Sequence, residues 1–278
     1  MVFRRGQHKG REIMKALWCG AILMAAGMLW GGEVLIDAGT VDDFAANPEL
    51  ATDDDGSFIP APRQTYITRD GIKIDYKKKY RLSFEYKNGS GNTGSATAAV
   101  VAIPYNAKGR RIHGGNIAHV NGTEAAMIGE LAKGGDEITI KPTKAWLAAM
   151  KRKRSYAVAF GARKDCKDLP NFNLLNIKSM RLDDEGNLII KFTTKSKRAW
   201  PAGTMIRLHQ HGMNGVGKTA KGTDEWQTMS FEIQGGSNQA ASNKWWRGTK
   251  TVKLGIYGDS RNGANKILIR KLKLEEVD

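Results

Sequence analysis

The stretch HGMNGVGKT, His211–Thr219, decides the fold class. Gly212–Thr219 is a complete match to the phosphate-loop pattern G-x-x-x-x-G-K-[ST], which would make the chain an α/β nucleotide-binding protein. That chemistry needs a strand before the loop and a helix opening from its end. Only then do backbone N–H groups, the lysine and the hydroxyl converge on phosphates and Mg²⁺. MIRLH, Met205–His209, supplies the strand. No helix follows, because AKGTDEWQTMSFEI, Ala220–Ile233, is a polar turn with a glycine and then an alternating strand pattern. The glycines therefore read as a mobile surface loop between two strands, and no nucleotide is expected to bind.

Strand periodicity dominates on both sides of this stretch. In KKYRLSFEYKN, Tyr80, Leu82, Phe84 and Tyr86 point one way, while Arg81, Ser83, Glu85 and Lys87 point the other. TYITRD–GIKIDY alternates in the same manner, and TAAVVAIPY, Thr97–Tyr105, is a more uniformly apolar strand. Late in the chain, EWQTMSFEI aligns Gln227, Met229, Phe231 and Ile233. TVKLGIYG sets Val252, Leu254 and Ile256 against Lys253 and Tyr257, and NKILIRKLKLEEV closes as a strand. Helical spacing is confined to TEAAMIGELA and AWLAAM. Many short strands with one apolar face each predict an all-β protein, two sheets sharing one core.

The ends and the charge bound the function. MKALWCGAILMAAGMLWG, Met14–Gly31, has a basic start and a short apolar run, the pattern of a secretory signal peptide rather than a membrane span. Residues 1–31 are assigned to it, with Met14 a candidate true start, so the protein is expected to be secreted or periplasmic with no stable membrane insertion. Setting residues 1–31 aside, 39 Lys and Arg face 27 Asp and Glu, a net +12. Such a balance favours an anionic partner. Cys166 is the only cysteine left, so an internal disulfide is excluded and the thiol reads as a small buried residue.

The frame resembles the galactose-binding-like jelly roll of bacterial carbohydrate-binding modules. YRLSFEYKN, EWQTMSFEI and NKILIRKLKLEEV carry that resemblance, over Glu33–Asn121 and Lys221–Asp278. GDEITIKPTKAW, YAVAFGARKDCKDLPNF and AWPAGTMIRLHQHG are similar to a segment of uncharacterised secreted proteins from polysaccharide-degrading bacteria, where it sits between two halves of a sugar-binding-like sandwich. The expected organisation is a jelly-roll β-sandwich, residues 32–122 and 213–278, with an inserted small β-subdomain, residues 123–212. Trp146 and Trp200 would form the small core of the insertion. The resemblance implies carbohydrate binding, and in many such modules a structural calcium. Here Arg270 and Lys271 stand where an Asp often appears, and two cations would repel Ca²⁺, so no cofactor is expected. Asp37, Asp42 and Asp43 remain the residues through which calcium could enter.

Sugar recognition needs exposed aromatic faces beside charged and amide groups. Trp245-Trp246-Arg247 is the best local source, because neighbours on a strand point to opposite sides and one indole would face out. Trp246 and Arg247 are therefore candidate ligand residues. Arg81, Glu85, Lys253 and Tyr257 join them if their strands are neighbours, forming a polar strip suited to an acidic or sulfated saccharide. The rival is a lyase acting on an acidic glycan, drawing on Tyr86, Tyr105, His113, His119 or Arg81 for proton transfer and charge neutralisation. Glycoside hydrolysis would need two facing carboxylates from among Asp165, Asp168, Asp183, Asp184 and Glu185, and no spacing selects a pair. A structural or protein-interaction role at the cell surface is the third reading. His209 and His211, with His113 or His119, are weak candidates for metal and none is assigned. The runs KRKR at 151–154 and KSKR at 195–198 read as solvated turns, and no nucleic acid is expected.

Overall fold

A computed structural model describes residues 32–45, 50–62, 64–89, 91, 92, 94, 96–259 and 265–278; the signal-peptide assignment, residues 1–31, lies outside them. The chain enters through short strands: β1 (Glu33–Ala38), β2 (Ala51–Thr52), β3 (Phe58–Ile59), β4 (Thr65–Ile67) and β5 (Ile72–Lys73). Two long strands follow, β6 (Lys79–Asn88) and β7 (Thr97–Tyr105). The middle of the chain forms β8 (Ala125–Ala126), β9 (Glu137–Ile140), helix α1 (Lys144–Met150), β10 (Tyr156–Phe160), β11 (Leu174–Leu182), β12 (Leu188–Phe192) and β13 (Met205–Gln210). The last third adds β14 (Val216–Lys221), β15 (Gln227–Gln234), β16 (Gly236–Ser237), β17 (Trp245–Trp246), β18 (Thr251–Asp259) and β19 (Ile267–Val277).

These strands make an all-β jelly-roll sandwich together with a third, six-stranded sheet. One sandwich sheet runs β15-β6-β19-β3-β2 with β1 also on β19, and the other runs β14-β7-β18-β4 with β5 also on β18. Their pairing is antiparallel, so each strand offers one face to the shared core. Tyr80, Leu82 and Phe84 of β6 meet Val252, Leu254 and Ile256 of β18 in that core. The third sheet runs β8-β13-β10-β11-β12-β9. It has its own core of Ile138, Ile140, Val158, Phe160, Ile190 and Leu208, closed on one side by Trp146 of α1. Trp200 packs against this second core with its ring stacked 5.1 Å from Phe160. The Thr143 hydroxyl caps α1 by accepting from the Trp146 N–H, and the Trp146 indole N–H donates to the Thr123 carbonyl at 2.6 Å. TEAAMIGELA, by contrast, forms β8 and turns, because Ala125 and Ala126 pair with the edge of β13.

The phosphate-like stretch has a packing explanation. Val216–Lys221 is itself a strand, β14, rather than part of a surface loop, and it pairs along β7 from Ala102 to Thr97. Val101 of β7 is flanked by Gly217 on one side and Gly255 on the other. A Cβ on Gly217 would sit 2.2 Å from the Val100 carbonyl oxygen and 2.8 Å from a Val101 methyl. The glycine leaves room for Val101 on a face otherwise too crowded. Lys218 lies over the Phe231 ring at 5.3 Å. Among the described residues no helix is long and apolar enough to cross a membrane.

Candidate functional site

The strand β13 ends at Gln210, and the link from His211 to Gly215 carries the chain from the third sheet back to the sandwich. Where it crosses, it meets a 3-10 turn, Gly114–Asn116, that follows β7. The two backbones touch: a Cβ on Gly114 would lie 2.7 Å from the Gly212 carbonyl carbon, and the Gly114 N–H donates to the Met213 carbonyl at 3.1 Å. Asn116 holds the turn, its Oδ1 accepting from the His113 N–H at 2.8 Å and its Nδ2 donating to the Asn171 carbonyl at 2.9 Å. Beside this crossing lies a pocket of about 290 Å³ lined by His113, Gly115, Asn116, Ala157, Leu174, Asn176, Gln210, His211, Gly212 and Asn214. It is near the small end of ligand pockets, which start at roughly 300 Å³.

Its chemistry is specific. Ala157 and Leu174 supply an apolar patch, while Asn176, Gln210, His211 and Asn214 make no side-chain hydrogen bond to other described residues. Amides both donate and accept, as sugar hydroxyls do, so these groups match a polyhydroxylated ring. Among the described residues no carboxylate lines the pocket. Arg111 stands at its edge, with Nη2 donating to the Asn214 carbonyl at 3.4 Å and a buried Nε that has no partner among the described residues. Desolvation, followed by the neighbouring charges of Arg111 and Arg110, holds the His113 pKa below that of an ordinary imidazole.

Behind the pocket a buried guanidinium ties the two β-bodies together. Arg207 of β13 is 0% exposed, and its Nη2 donates to Asp168 at 2.7 Å. Its Nε donates to His209 Nε2 at 3.3 Å, and its Nη1 to the Arg163 carbonyl at 3.1 Å. His209 in turn donates from Nδ1 to the Gly115 carbonyl, 2.8 Å away in the pocket wall. Burial, with lesser contributions from the charges of Arg207 and His119, lowers the His209 pKa to about 4. His119, paired across a β-bridge with His209, also has a lowered pKa, mainly from burial. Its Nε2 is 4.0 Å from Cys166 Sγ. Cys166 is half-buried rather than buried, in a left-handed conformation with φ 56°.

Several sequence expectations need correcting. Trp246 is 0% exposed, as is Trp245, so neither offers a face to a sugar. β17 pairs with β16, the Trp246 indole donates to the Ala241 carbonyl at 2.8 Å, and Trp245 meets Tyr80 edge-on at 5.3 Å. Arg81 and Glu85 lie on β6 and Lys253 and Tyr257 on β18, in the two opposed sheets. Their outward side chains therefore face opposite sides of the sandwich and form no common strip. Each is also engaged: Arg81 is 3.6 Å from Glu232, and Lys253 Nζ donates to the Arg69 carbonyl. Glu85 takes Arg270 at 2.7 Å and Lys271 at 2.8 Å, because a bulge in β19 sends both cations to one carboxylate. Those contacts, Lys271 first, lower the Glu85 pKa. Arg247 donates to Asn238 at 3.1 Å beside a cavity of about 180 Å³ with Tyr76.

The lyase candidates separate as well. His113 lines the pocket and His119 lies behind it, Tyr105 pairs with Arg111, and Tyr86 and Arg81 are on β6. Three of the carboxylate candidates serve the fold: Asp168 binds Arg207, Asp165 binds Arg163 at 3.1 Å, and Asp183 accepts from the Glu185 and Asn187 N–H groups in a turn. His209 is enclosed while His211 lies past the strand end and is exposed, so they do not share a ligating face. Among the described residues no group of three or more His, Cys, Asp or Glu could hold a metal ion. Asp37 is paired with Lys273 at 3.3 Å, and Asp43 accepts from the Gly39 and Thr40 N–H groups. Asn176, Gln210 and Asn214 were not singled out by sequence; the signal available was the density of amides and imidazoles in NFNLLN and HQHGMN.

A second cavity, about 460 Å³, lies among Asp53, Lys87, Asn88, Asn92 and Asp224. The nearby Trp226 ring is already covered by Arg270 at 3.8 Å and Lys87 at 5.0 Å. No protein-family model matches the sequence, and neither does any curated protein. A solved structure, the carbohydrate recognition domain of Emp47p, aligns over 88% of this chain and 94% of its own at 10% identity and a TM-score of 0.25. A likeness that low carries no argument here.

Proposed function

We propose that this is a carbohydrate-binding protein, that its ligand seats in the pocket between His113, Asn176, Gln210 and Asn214, and that the ligand is an anionic or sulfated polysaccharide. One observation carries this reading: the pocket presents uncommitted amides and an imidazole and, among the described residues, not a single carboxylate. An acidic sugar meets hydroxyl-binding groups and no repulsion, and Arg111 adds a cation at the rim. The net charge of +12 over residues 32–278 supports the same class of partner. The leader-like Met14–Gly31 fits export to where such polymers occur.

The second reading is a lyase at the same place, favoured by His113. An imidazole whose pKa is lowered is neutral near pH 7 and can accept a proton, while a guanidinium nearby can neutralise a uronate. One experiment separates the two: a panel of immobilised neutral, carboxylated and sulfated polysaccharides, assayed for retention and for release of unsaturated ends. Retention of acidic polymers without product supports the binding protein, and product formation supports the lyase. Asn176→Ala combined with Gln210→Ala should weaken retention about thirtyfold, each lost hydrogen bond contributing on the order of 1 kcal/mol. Unchanged retention in that double variant would rule out this pocket.

A further inference from the structure

The pocket opens onto one face of the third sheet, and that face has two unequal halves. Register defines it: Ala157 sits opposite His209 and Asn176, and Ala159 opposite Arg207 and Leu174. Over β10 and β13 this face is covered, since Arg207 and His209 are enclosed. Over β11 and β12 it is open. Ser179 and Lys191 stand opposite one another there, as do Arg181 and Ile189, while Ile177, Phe192, Met180 and Ile190 turn toward the core. Lys178 is exposed in the β11 bulge between Ile177 and Ser179.

β10 begins at Tyr156, next to Gln210, and its approach, Lys151–Ser155, is exposed. β11 runs antiparallel to β10, and their pairing ends at Ala157 and Asn176, so β11 continues past the start of β10. Asn176 belongs both to the pocket and to this strand, and from Asn176 to Arg181 the strand spans at most roughly 16 Å at ~3.3 Å per residue. Two acidic features bound the strip: Glu137 stands opposite Lys191, and the hairpin tip carries Asp183, Asp184 and Glu185. Lys191 itself is 4.0 Å from Asp136, an exposed and therefore weak ion pair.

We propose that the open outer face of β11 and β12, from Asn176 past Lys178 to Arg181 and Lys191, is a track for a polyanionic glycan chain leaving the pocket. The protein then grips several consecutive sugars, with the acidic hairpin tip turning the chain off the sheet. This rests on the pocket reading above and adds to it the size and charge of the ligand. Uncommitted amides in the pocket select hydroxyls, and the cations outside it recognise repeated carboxylate or sulfate groups.

Isothermal titration with size-fractionated oligouronates and heparin-derived oligosaccharides, disaccharide against octasaccharide, tests it in the full chain. The octasaccharide of at least one series should bind at least about tenfold more tightly than its disaccharide at low salt, and the gain should shrink as salt rises. Arg181→Glu with Lys191→Glu should remove most of that gain and leave disaccharide binding unchanged; both side chains are exposed, and circular dichroism checks folding. His211→Ala should weaken both lengths. Equal affinity for the two lengths, or an octasaccharide indifferent to the double reversal, would overturn the track while leaving the pocket standing. No binding of either series at any length would overturn both. A single-stranded oligonucleotide of equal charge binding as tightly as the octasaccharide would also overturn the glycan track, since charge alone would then explain the affinity.

Discussion

His209 should make the protein acid-sensitive in a window that can be stated in advance. Its pKa falls from the ordinary 6.5 to about 4 in the folded chain, with burial the largest cause. The sign follows directly. Below pH 6.5 the unfolded chain binds a proton that the folded chain refuses, so stability is full above 6.5 and is lost as pH falls toward 4. A shift of this size corresponds to about 1.4 kcal/mol lost by pH 5.5 and about 3 kcal/mol by pH 4, of the order of a third of a typical domain's stability. His119 and His113 shift in the same direction and add to the slope. The test is His209→Gln, whose amide can still donate to the Gly115 carbonyl and accept from Arg207 Nε but does not titrate. Urea denaturation of both proteins at pH 7.5, 6.5, 5.5 and 4.5 gives the comparison. The difference in stability between wild type and variant should move by about 1.4 kcal/mol, in favour of the variant, from pH 7.5 to 5.5. Two profiles that stay parallel across that range would show that His209 accepts its proton in place, and the account of the buried cluster would fall.

Two packing predictions accompany it. Trp246→Ala should cost roughly 3–5 kcal/mol in urea denaturation, as expected for an emptied core position, while the folded fraction keeps its glycan affinity; a variant of normal stability that no longer binds would restore Trp246 as a ligand residue. Gly217→Val should destabilise by at least about 1–3 kcal/mol, because the new side chain collides with β7, and a thermal melt unchanged from wild type would refute that packing.

Much of the sandwich was legible because it depends on a local rule. Alternation in Tyr80–Tyr86 and Val252–Ile256 identifies which side of each strand is buried, and both sets reach the core. Alternation does not say which strands become neighbours. Arg81 and Lys253 both face outward as expected, yet they sit on opposite sheets, a fact fixed by pairing between residues far apart in sequence. Trp246 failed for a related reason. A two-residue strand in a parallel ribbon can be covered by its own connecting loop, and the contact with Ala241 that encloses it is loop geometry rather than period. Gly212–Thr219 illustrates the converse. Glycines that fit beside Val101, followed by Lys218 over the Phe231 ring and Thr219 on the opposite face, reproduce a phosphate-loop string with none of its backbone geometry.

The pocket was least legible because its walls come from two cores that share no local pattern. One wall is the 3-10 turn after β7, and the other is the β10–β11–β13 end of the third sheet. What holds them in register is not apolar packing alone but the buried chain Asp168–Arg207–His209–Gly115, with distances of 2.7, 3.3 and 2.8 Å. Each member needs the others: Arg207 without Asp168 would be an unpaired buried charge, and His209 must stay neutral to accept from Arg207. A proton on His209 Nε2 would set two cations against each other inside the protein. The Gly114–Asn116 turn contacts His209 directly through the Gly115 carbonyl and so meets that repulsion first. Acid should therefore loosen the pocket wall before it opens the sandwich. That order explains why a binding site made mainly of neutral amides would still lose its shape with the titration of a histidine the ligand never touches.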